Sequence, residues 1–137
     1  MASCDKSKLQ MFDIVFVDIP NENNEQTSEQ NGKRPYIIIQ NNIGNKYSPT
    51  VLGISLTTKI KKEHMPIHCI IKKTESNGLK QDSMALAETL RQIDKKRIIS
   101  KIGTIEDRET QRNIIDIYIA NITGVANNIL NDGSLVC

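Results

Sequence analysis

A chain of 137 residues has room for one compact domain and little more. Its hydrophobic fraction of 38% and charged fraction of 25% exclude an extended disordered protein. The formal net charge of +2 is too small to indicate a nucleic-acid-binding protein by itself, so such a surface requires local clusters of Lys and Arg. Two clusters exist, at residues 59–62 and 91–97, and each taken alone is better interpreted as a solvated charged face.

The cysteines and the apolar segments indicate the cellular setting. Cys4, Cys69 and Cys137 lie far apart, which argues against a disulfide framework or a zinc site. No apolar run approaches the roughly 18 residues that a membrane span needs. The N-terminus lacks the apolar stretch of a secretory signal. These features favour a soluble protein of the reducing cytoplasm, and we expect no metal and no cofactor.

Short runs rich in Ile, Val and Thr, separated by turn residues, predict most of the chain to be β-structure. Residues 1–10 are polar and expected to be disordered. Residues 21–33 predict a loop long enough to be a lid or a binding loop, although 21–27 is also consistent with a tolerated surface insertion. Residues 41–49 predict a turn. The predicted strands are 11–19, 34–40, 50–58, 67–72, 82–91 and 98–105.

Two segments need a separate argument. Residues 82–91 favour helix by propensity, and we assign a strand mainly from the resemblance described below. Residues 106–122 predict the C-terminal helix, with Thr104 as N-cap and Gly124 at its end. Its apolar side chains share one face, which is core or interface: Ile114, Ile115, Tyr118, Ile119 and Ile122.

The expected architecture is a mainly β domain at residues 11–123. It is a small, strongly bent antiparallel barrel with a C-terminal helix packed against it, and it also contains one helical turn at 94–97. Residues 124–137 are expected to form a loose tail.

Several kinds of catalytic chemistry are set aside because the sequence lacks their motifs. There is no Gly-rich phosphate loop and no G-x-S-x-G elbow. His64 and His68 are separated by Pro66, which makes a helical metal clamp improbable. Neighbouring strand residues point to opposite faces, so Cys69 does not pair with His68 as a nucleophile.

The remaining polar residues suit metal-free cleavage of RNA, which carries its own nucleophile in the 2′-OH. Pro35 holds Arg34 in an extended conformation, where its guanidinium suits phosphate oxygens. Thr57 offers a neutral hydroxyl, and Glu29, His68 and Glu88 are candidates for base contacts or proton transfer. An ion-pair partner at Arg34, a simple strand residue at Thr57 and a half-buried strand residue at His68 are the structural alternatives. On residue chemistry alone these structural roles are favoured over the functional ones.

Four separated blocks between residues 12 and 122 change this balance, because together and in this order they resemble the MazF/PemK family of toxins of bacterial toxin–antitoxin systems. The first two blocks are Ser28-Glu29-Gln30, Gly32, Arg34-Pro35 and Gln40-Asn41, then Ile43-Gly44-Asn45 and Ser48-Pro49-Thr50. The last two are Thr57, Pro66 and His68, then Glu88, Arg91, Ile93-Asp94, Arg97 and Lys101-Ile102-Gly103.

The resemblance implies an SH3-like barrel that forms a homodimer. It implies a sequence-specific, metal-independent endoribonuclease that cleaves single-stranded RNA to a 2′,3′-cyclic phosphate and a 5′-hydroxyl. A cognate antitoxin with an acidic disordered tail is expected to block the groove. Arg34 and Thr57 match the catalytic positions. Substrate contacts are implied for Ser28, Glu29, Gln30, Pro66, His68 and Glu88.

Two other functions stay open at this point. A CcdB-like toxin that inhibits a protein such as gyrase by binding uses the same barrel, although the presence of Arg34 and Thr57 favours the ribonuclease. A DNA-binding regulator agrees poorly with the near-neutral charge. The chain departs from the family pattern at Asn42, at Thr89 and in the length of the 21–27 loop, and the last two departures bear on which RNA sequence is read.

Overall fold

The computed structural model describes residues 5–19 and 32–124. Within these ranges six antiparallel strands form one sheet in the order β4-β5-β3-β2-β1-β6. The strands are β1 (Asp13–Asp18), β2 (Lys33–Ile38), β3 (Thr50–Thr57), β4 (His68–Ile71), β5 (Ser83–Asp94) and β6 (Ile98–Thr104). The helices are α1 (Asn42–Tyr47) and α2 (Arg108–Thr123), and single 3-10 turns occupy Lys6–Lys8 and Lys95–Arg97.

The prediction of a mainly β domain with a C-terminal helix is confirmed. The six predicted strands are present, including the ambiguous segment 82–91, which lies within β5. Tertiary pairing on both sides decides that segment, because β5 bonds to β3 and to β4 and so overrides its helical propensity. None of the helices in the described part of the chain is long and apolar enough to cross a membrane.

The two ends of the described sheet approach each other through the loop between β4 and β5. The Thr104 N–H donates to the Ser76 carbonyl at 3.0 Å, which links this loop to β6. A Cβ at Gly103 would lie 2.4 Å from the Asn77 carbonyl carbon, and one at Gly78 would lie 2.3 Å from the Ile102 carbonyl oxygen. The sheet is not closed by strand pairing, yet its curvature is compatible with the expected small barrel.

Apolar side chains form two clusters in the fold. One contains the buried side chains Ile114 and Ile117 of α2 together with sheet residues that include Ile14, Ile37 and Ile54. The other contains Val15, Val17, Tyr36, Ile38, Val51, Ile93 and Ile98, with Leu9 from the N-terminal segment. Burial of one such aliphatic side chain contributes about 1.5–3 kcal/mol, so these clusters hold the strands in register.

The predicted features of α2 need two corrections. Its buried residues are Ile114, Ile117 and Ala120, whereas Ile115 and Ile122 are 37% and 60% exposed. The apolar stripe is wider than the surface that the sheet covers, so only part of the predicted face is core, and an interface at the exposed part stays a prediction. The N-cap is Asp107 and not Thr104, because β6 continues through Thr104. Gly124 ends the helix in a left-handed conformation, as predicted.

Two further expectations differ from the structure. The predicted turn at 41–49 contains α1, which Asn41 caps by accepting a 2.9 Å hydrogen bond from the Gly44 N–H. The N-terminal segment, expected to be disordered as far as residue 10, has Leu9 buried at 3% exposure. Residues 1–4, 20–31 and 125–137 lie outside the described residues, and with them most of the predicted long loop and the tail.

Candidate active site

The register of β2 and β3 determines where the two predicted catalytic residues lie. The strands pair Ile38 with Gly53 and Tyr36 with Ser55. Continued by two residues, this register brings Arg34 opposite Thr57, where β2 begins and β3 ends. Side chains that are directly opposite in an antiparallel pair point to the same face. Arg34 and Thr57 therefore share one face of the sheet, and both are partly exposed.

The hydroxyl of Thr57 already has one defined partner. Its Oγ1 accepts a hydrogen bond of 3.1 Å from the backbone N–H of Lys59. A hydroxyl that accepts in this way keeps its own proton for donation. The proton of the Thr57 hydroxyl can therefore be donated to a second group.

His68 lies at the start of β4 and is buried, with 9% exposure. Its Nδ1 is 3.0 Å from the Lys62 carbonyl oxygen. Its Nε2 is 2.7 Å from Oε2 and 3.0 Å from Oε1 of Glu88. Both ring nitrogens thus have protein partners, and the structure brings His68 and Glu88 together.

Of the other predicted contact residues, the structure describes only Pro66. Pro66 is exposed in the loop before β4. Ser28, Glu29 and Gln30 lie outside the described residues. Substrate contact stays a prediction for all of them, as it does for His68 and Glu88.

Thr89 has a contact that sequence reasoning missed. Its Oγ1 accepts from the Ser55 N–H and the Ser55 hydroxyl and donates to the Leu86 carbonyl. These bonds span an irregularity in which residues 87–90 of β5 face Ile54 of β3. The departure from the family pattern at Thr89 was the available signal, but its partner is 34 residues away.

Neither cysteine chemistry nor a metal cluster marks another site in residues 5–19 and 32–124. Burial, with a smaller effect of the Asp116 charge, raises the pKa of the Cys69 thiol to about 12. Such a thiol is almost entirely protonated at neutral pH and is a poor nucleophile. No group of three His, Cys, Asp or Glu side chains in these ranges is placed to hold a metal ion.

Comparisons with known proteins identify the family of this chain. A family model for the PemK-like, MazF-like toxin of type II toxin–antitoxin systems matches residues 10–114. A relative from Staphylococcus saprophyticus subsp. saprophyticus, named Endoribonuclease MazF, is 44% identical over 96 residues, which are 69% of this chain and 79% of the relative. The chain therefore belongs to the PemK-like, MazF-like family of type II toxins.

Solved structures share the fold at lower sequence identity. An endoribonuclease in complex with its cognate antitoxin from a mycobacterial species gives a TM-score of 0.63 at 16% identity, over 83% of this chain and 94% of that one. MazF from Deinococcus radiodurans gives a TM-score of 0.61 at 15% identity, over 85% and 97% of the two chains. At this identity the likeness concerns the fold alone.

Proposed function

We propose that this chain is an endoribonuclease toxin that cleaves single-stranded RNA at a short sequence without a metal ion. The observation that supports the proposal is the Tyr36–Ser55 pair of β2 and β3, because strand alternation continued from it puts Arg34 and Thr57 on one face. The identity of 44% to a relative named Endoribonuclease MazF supports it. Cleavage takes place in the cytoplasm, where messenger RNA is single-stranded and accessible.

The proposed reaction needs the groups of the RNA, these two side chains and solvent water as the proton acceptor. The 2′-oxygen forms a bond to phosphorus and passes its proton to water, and the bond from phosphorus to the 5′-oxygen breaks. The 5′-oxygen takes up a proton, which leaves a 2′,3′-cyclic phosphate and a 5′-hydroxyl. Negative charge gathers on the phosphoryl oxygens in the transition state, and preorganised donors stabilise it.

Arg34 supplies the main stabilisation in this scheme. A guanidinium donates two parallel hydrogen bonds to phosphate oxygens, and it stays protonated in proteins. It therefore acts by charge stabilisation or by proton donation, and not as a general base. Thr57 adds a neutral hydroxyl donor. Substrate contacts are proposed for Ser28, Glu29, Gln30, Pro66, His68 and Glu88.

The proposed partners are RNA, a cognate antitoxin and a second copy of the chain. An endoribonuclease of the same fold has been solved with its cognate antitoxin, which supports an antitoxin here. The alternative of a CcdB-like toxin that acts only by binding is not favoured, because the matching family model is that of PemK-like, MazF-like toxins.

A cleavage assay with EDTA and a long unstructured RNA tests the proposal. We expect cuts at one short motif, and a rate about 100- to 1000-fold lower for Arg34→Ala and for Arg34→Lys, which keeps the charge but loses the paired donors. The new 5′ ends should accept phosphate from a polynucleotide kinase without prior phosphatase treatment.

Lys33→Ala is the matched control, since Lys33 is the exposed neighbour of Arg34 on the same strand. This variant should cut at the wild-type rate. A folded protein that leaves RNA intact would contradict the proposal and direct the search to a protein target.

A further inference from the structure

The segment between β3 and β4 is an exposed basic loop, defined here as residues 58–64. All seven residues are exposed. Three lysines, Lys59, Lys61 and Lys62, stand against one acid, Glu63. The loop follows Thr57 directly, so its charge lies beside the proposed cleavage site. Neither the catalytic pair nor the base contacts account for these lysines.

Hydrogen bonds fix the backbone of the exposed basic loop at Lys59 and at Lys62. Thr57 Oγ1 binds the Lys59 N–H at its start. The Lys62 carbonyl accepts from the Met65 N–H at 3.1 Å and faces His68 Nδ1 at 3.0 Å. Lys62 itself has φ of 55°. A non-glycine residue in this left-handed region is strained, and it persists where surrounding contacts determine the backbone.

The hydrogen bonds of the two His68 ring nitrogens connect this loop to Glu88. A carbonyl oxygen only accepts, so Nδ1 must donate to Lys62. Nε2 faces a carboxylate at 2.7 Å, and an ionised carboxylate also only accepts. Both contacts are satisfied together when a proton lies between Nε2 and Glu88. The Glu88 side chain therefore orients the ring, and the ring anchors the Lys62 carbonyl.

We infer that the basic loop is a preorganised arm that binds backbone phosphates of RNA next to the cleaved bond, and that His68 and Glu88 are positioning residues for it. This inference rests on the proposed function. Lysine ammonium groups act as point charges on phosphates, and such contacts are independent of sequence. The direct continuation from Thr57 favours RNA over an acidic protein segment as the occupant.

Salt-dependent binding tests the arm without requiring cleavage. The probe is a fluorescent single-stranded RNA with 2′-O-methyl groups throughout, which have no free nucleophile. Each lost phosphate contact lowers the dependence of log Kobs on log salt by about 0.7 on a single strand. The double variant Lys59→Gln/Lys61→Gln should therefore bind more weakly at low salt, with a slope shallower by about 1.4. On cleavable RNA, its KM should rise while kcat stays unchanged.

The matched control is Lys72→Gln/Lys73→Gln, which removes the same charge from exposed residues beyond the other end of β4. Its slope should equal that of the wild type. Equal slopes for both double variants would overturn the inference, and so would a loop variant with an unchanged RNA slope but weakened binding of polyglutamate. Cleavage with unchanged slopes would refute the arm alone, whereas a shallower slope without cleavage would refute the proposed function alone.

The positioning role has its own test at Glu88, whose side chain is 44% exposed and tolerates substitution without opening the core. Glu88→Ala leaves Nε2 without its partner and should make the salt slope shallower, as in the lysine variant. Glu88→Gln should restore it, because an amide hydrogen-bonds His68 in either protonation state. A slope unchanged by Glu88→Ala, or not restored by Glu88→Gln, would overturn this role.

Discussion

Thr89 of β5 and Ser55 of β3, which are 34 residues apart in sequence, form a hydroxyl pair between the two strands. Thr89 Oγ1 is 2.9 Å from the Ser55 nitrogen and 2.8 Å from the Ser55 hydroxyl oxygen, and it donates to the Leu86 carbonyl at 2.6 Å. The pair lies where β3 and β5 lose their regular register. A side-chain hydroxyl thus supplies the bonds that the interrupted backbone ladder lacks.

Removing this hydroxyl should destabilise the fold. Thr89→Val keeps the shape but leaves the N–H and the hydroxyl of buried Ser55 without their acceptor, which costs about 1–3 kcal/mol in the free energy of unfolding. Urea denaturation followed by circular dichroism measures the loss. Thr58→Val, on an exposed loop residue, is the control and should be close to neutral. An equal midpoint for both variants would show that the pair contributes nothing to stability.

Gly103 tests the closure between β6 and the loop after β4. Its ideal Cβ would lie 2.5 Å from the carbonyl oxygens of Ser76 and Asn77, which are backbone atoms and move only with the loop. We expect Gly103→Ala to lower the free energy of unfolding by roughly 3 kcal/mol, the upper part of the usual overpacking range. Ile99→Ala on the same strand, at a 39% exposed site, should lose less. The reverse order would contradict this account of the close approach.

Asp107 should make α2 sensitive to acid. Hydrogen bonds from the Thr110 hydroxyl, and then its N–H, lower the pKa of this capping carboxyl, and desolvation opposes them. A pKa below the unfolded value means that the contribution to stability is complete above about pH 4 and is lost as the pH falls through the native pKa. Thermal unfolding between pH 2 and pH 7 measures this loss.

Two variants separate the cap from its charge. Asp107→Ala should cost about 1 kcal/mol at neutral pH, since the first-turn N–H groups lose their acceptor. Asp107→Ser caps without titrating, so it should retain most of the stability and flatten the acid dependence. An acid dependence that is unchanged in Asp107→Ser would assign the effect to other carboxyl groups.

Cys69 should be chemically inert in the native protein. With a pKa of about 12, only about one thiol in ten thousand is ionised at pH 8. A Cys4→Ser/Cys137→Ser variant leaves Cys69 as the one thiol of the chain. Its reaction with a disulfide reagent should be at least about 100-fold slower in buffer than in urea. Rapid native labelling would contradict the raised pKa of this thiol.

Local sequence determined much of the secondary structure. Short runs rich in Ile, Val and Thr identified the strands, and Gly124 identified the end of α2. For the candidate site, Pro35 predicts an extended conformation at Arg34. These signals are short-range, because they reflect backbone preferences and side-chain periodicity within a few residues. The family blocks then pointed to Arg34 and Thr57 as a pair.

Tertiary structure decided the rest, because the partners are distant in sequence. Pairing with β3 and β4 made 82–91 a strand, and the sheet selected Ile117 over Ile122 as a core residue of α2. Polar groups are buried only where they have hydrogen-bond partners, and the sequence alone does not show which residues those partners are. The bonds of Thr89 to Ser55 and of His68 to Glu88 exist only once the strands are side by side.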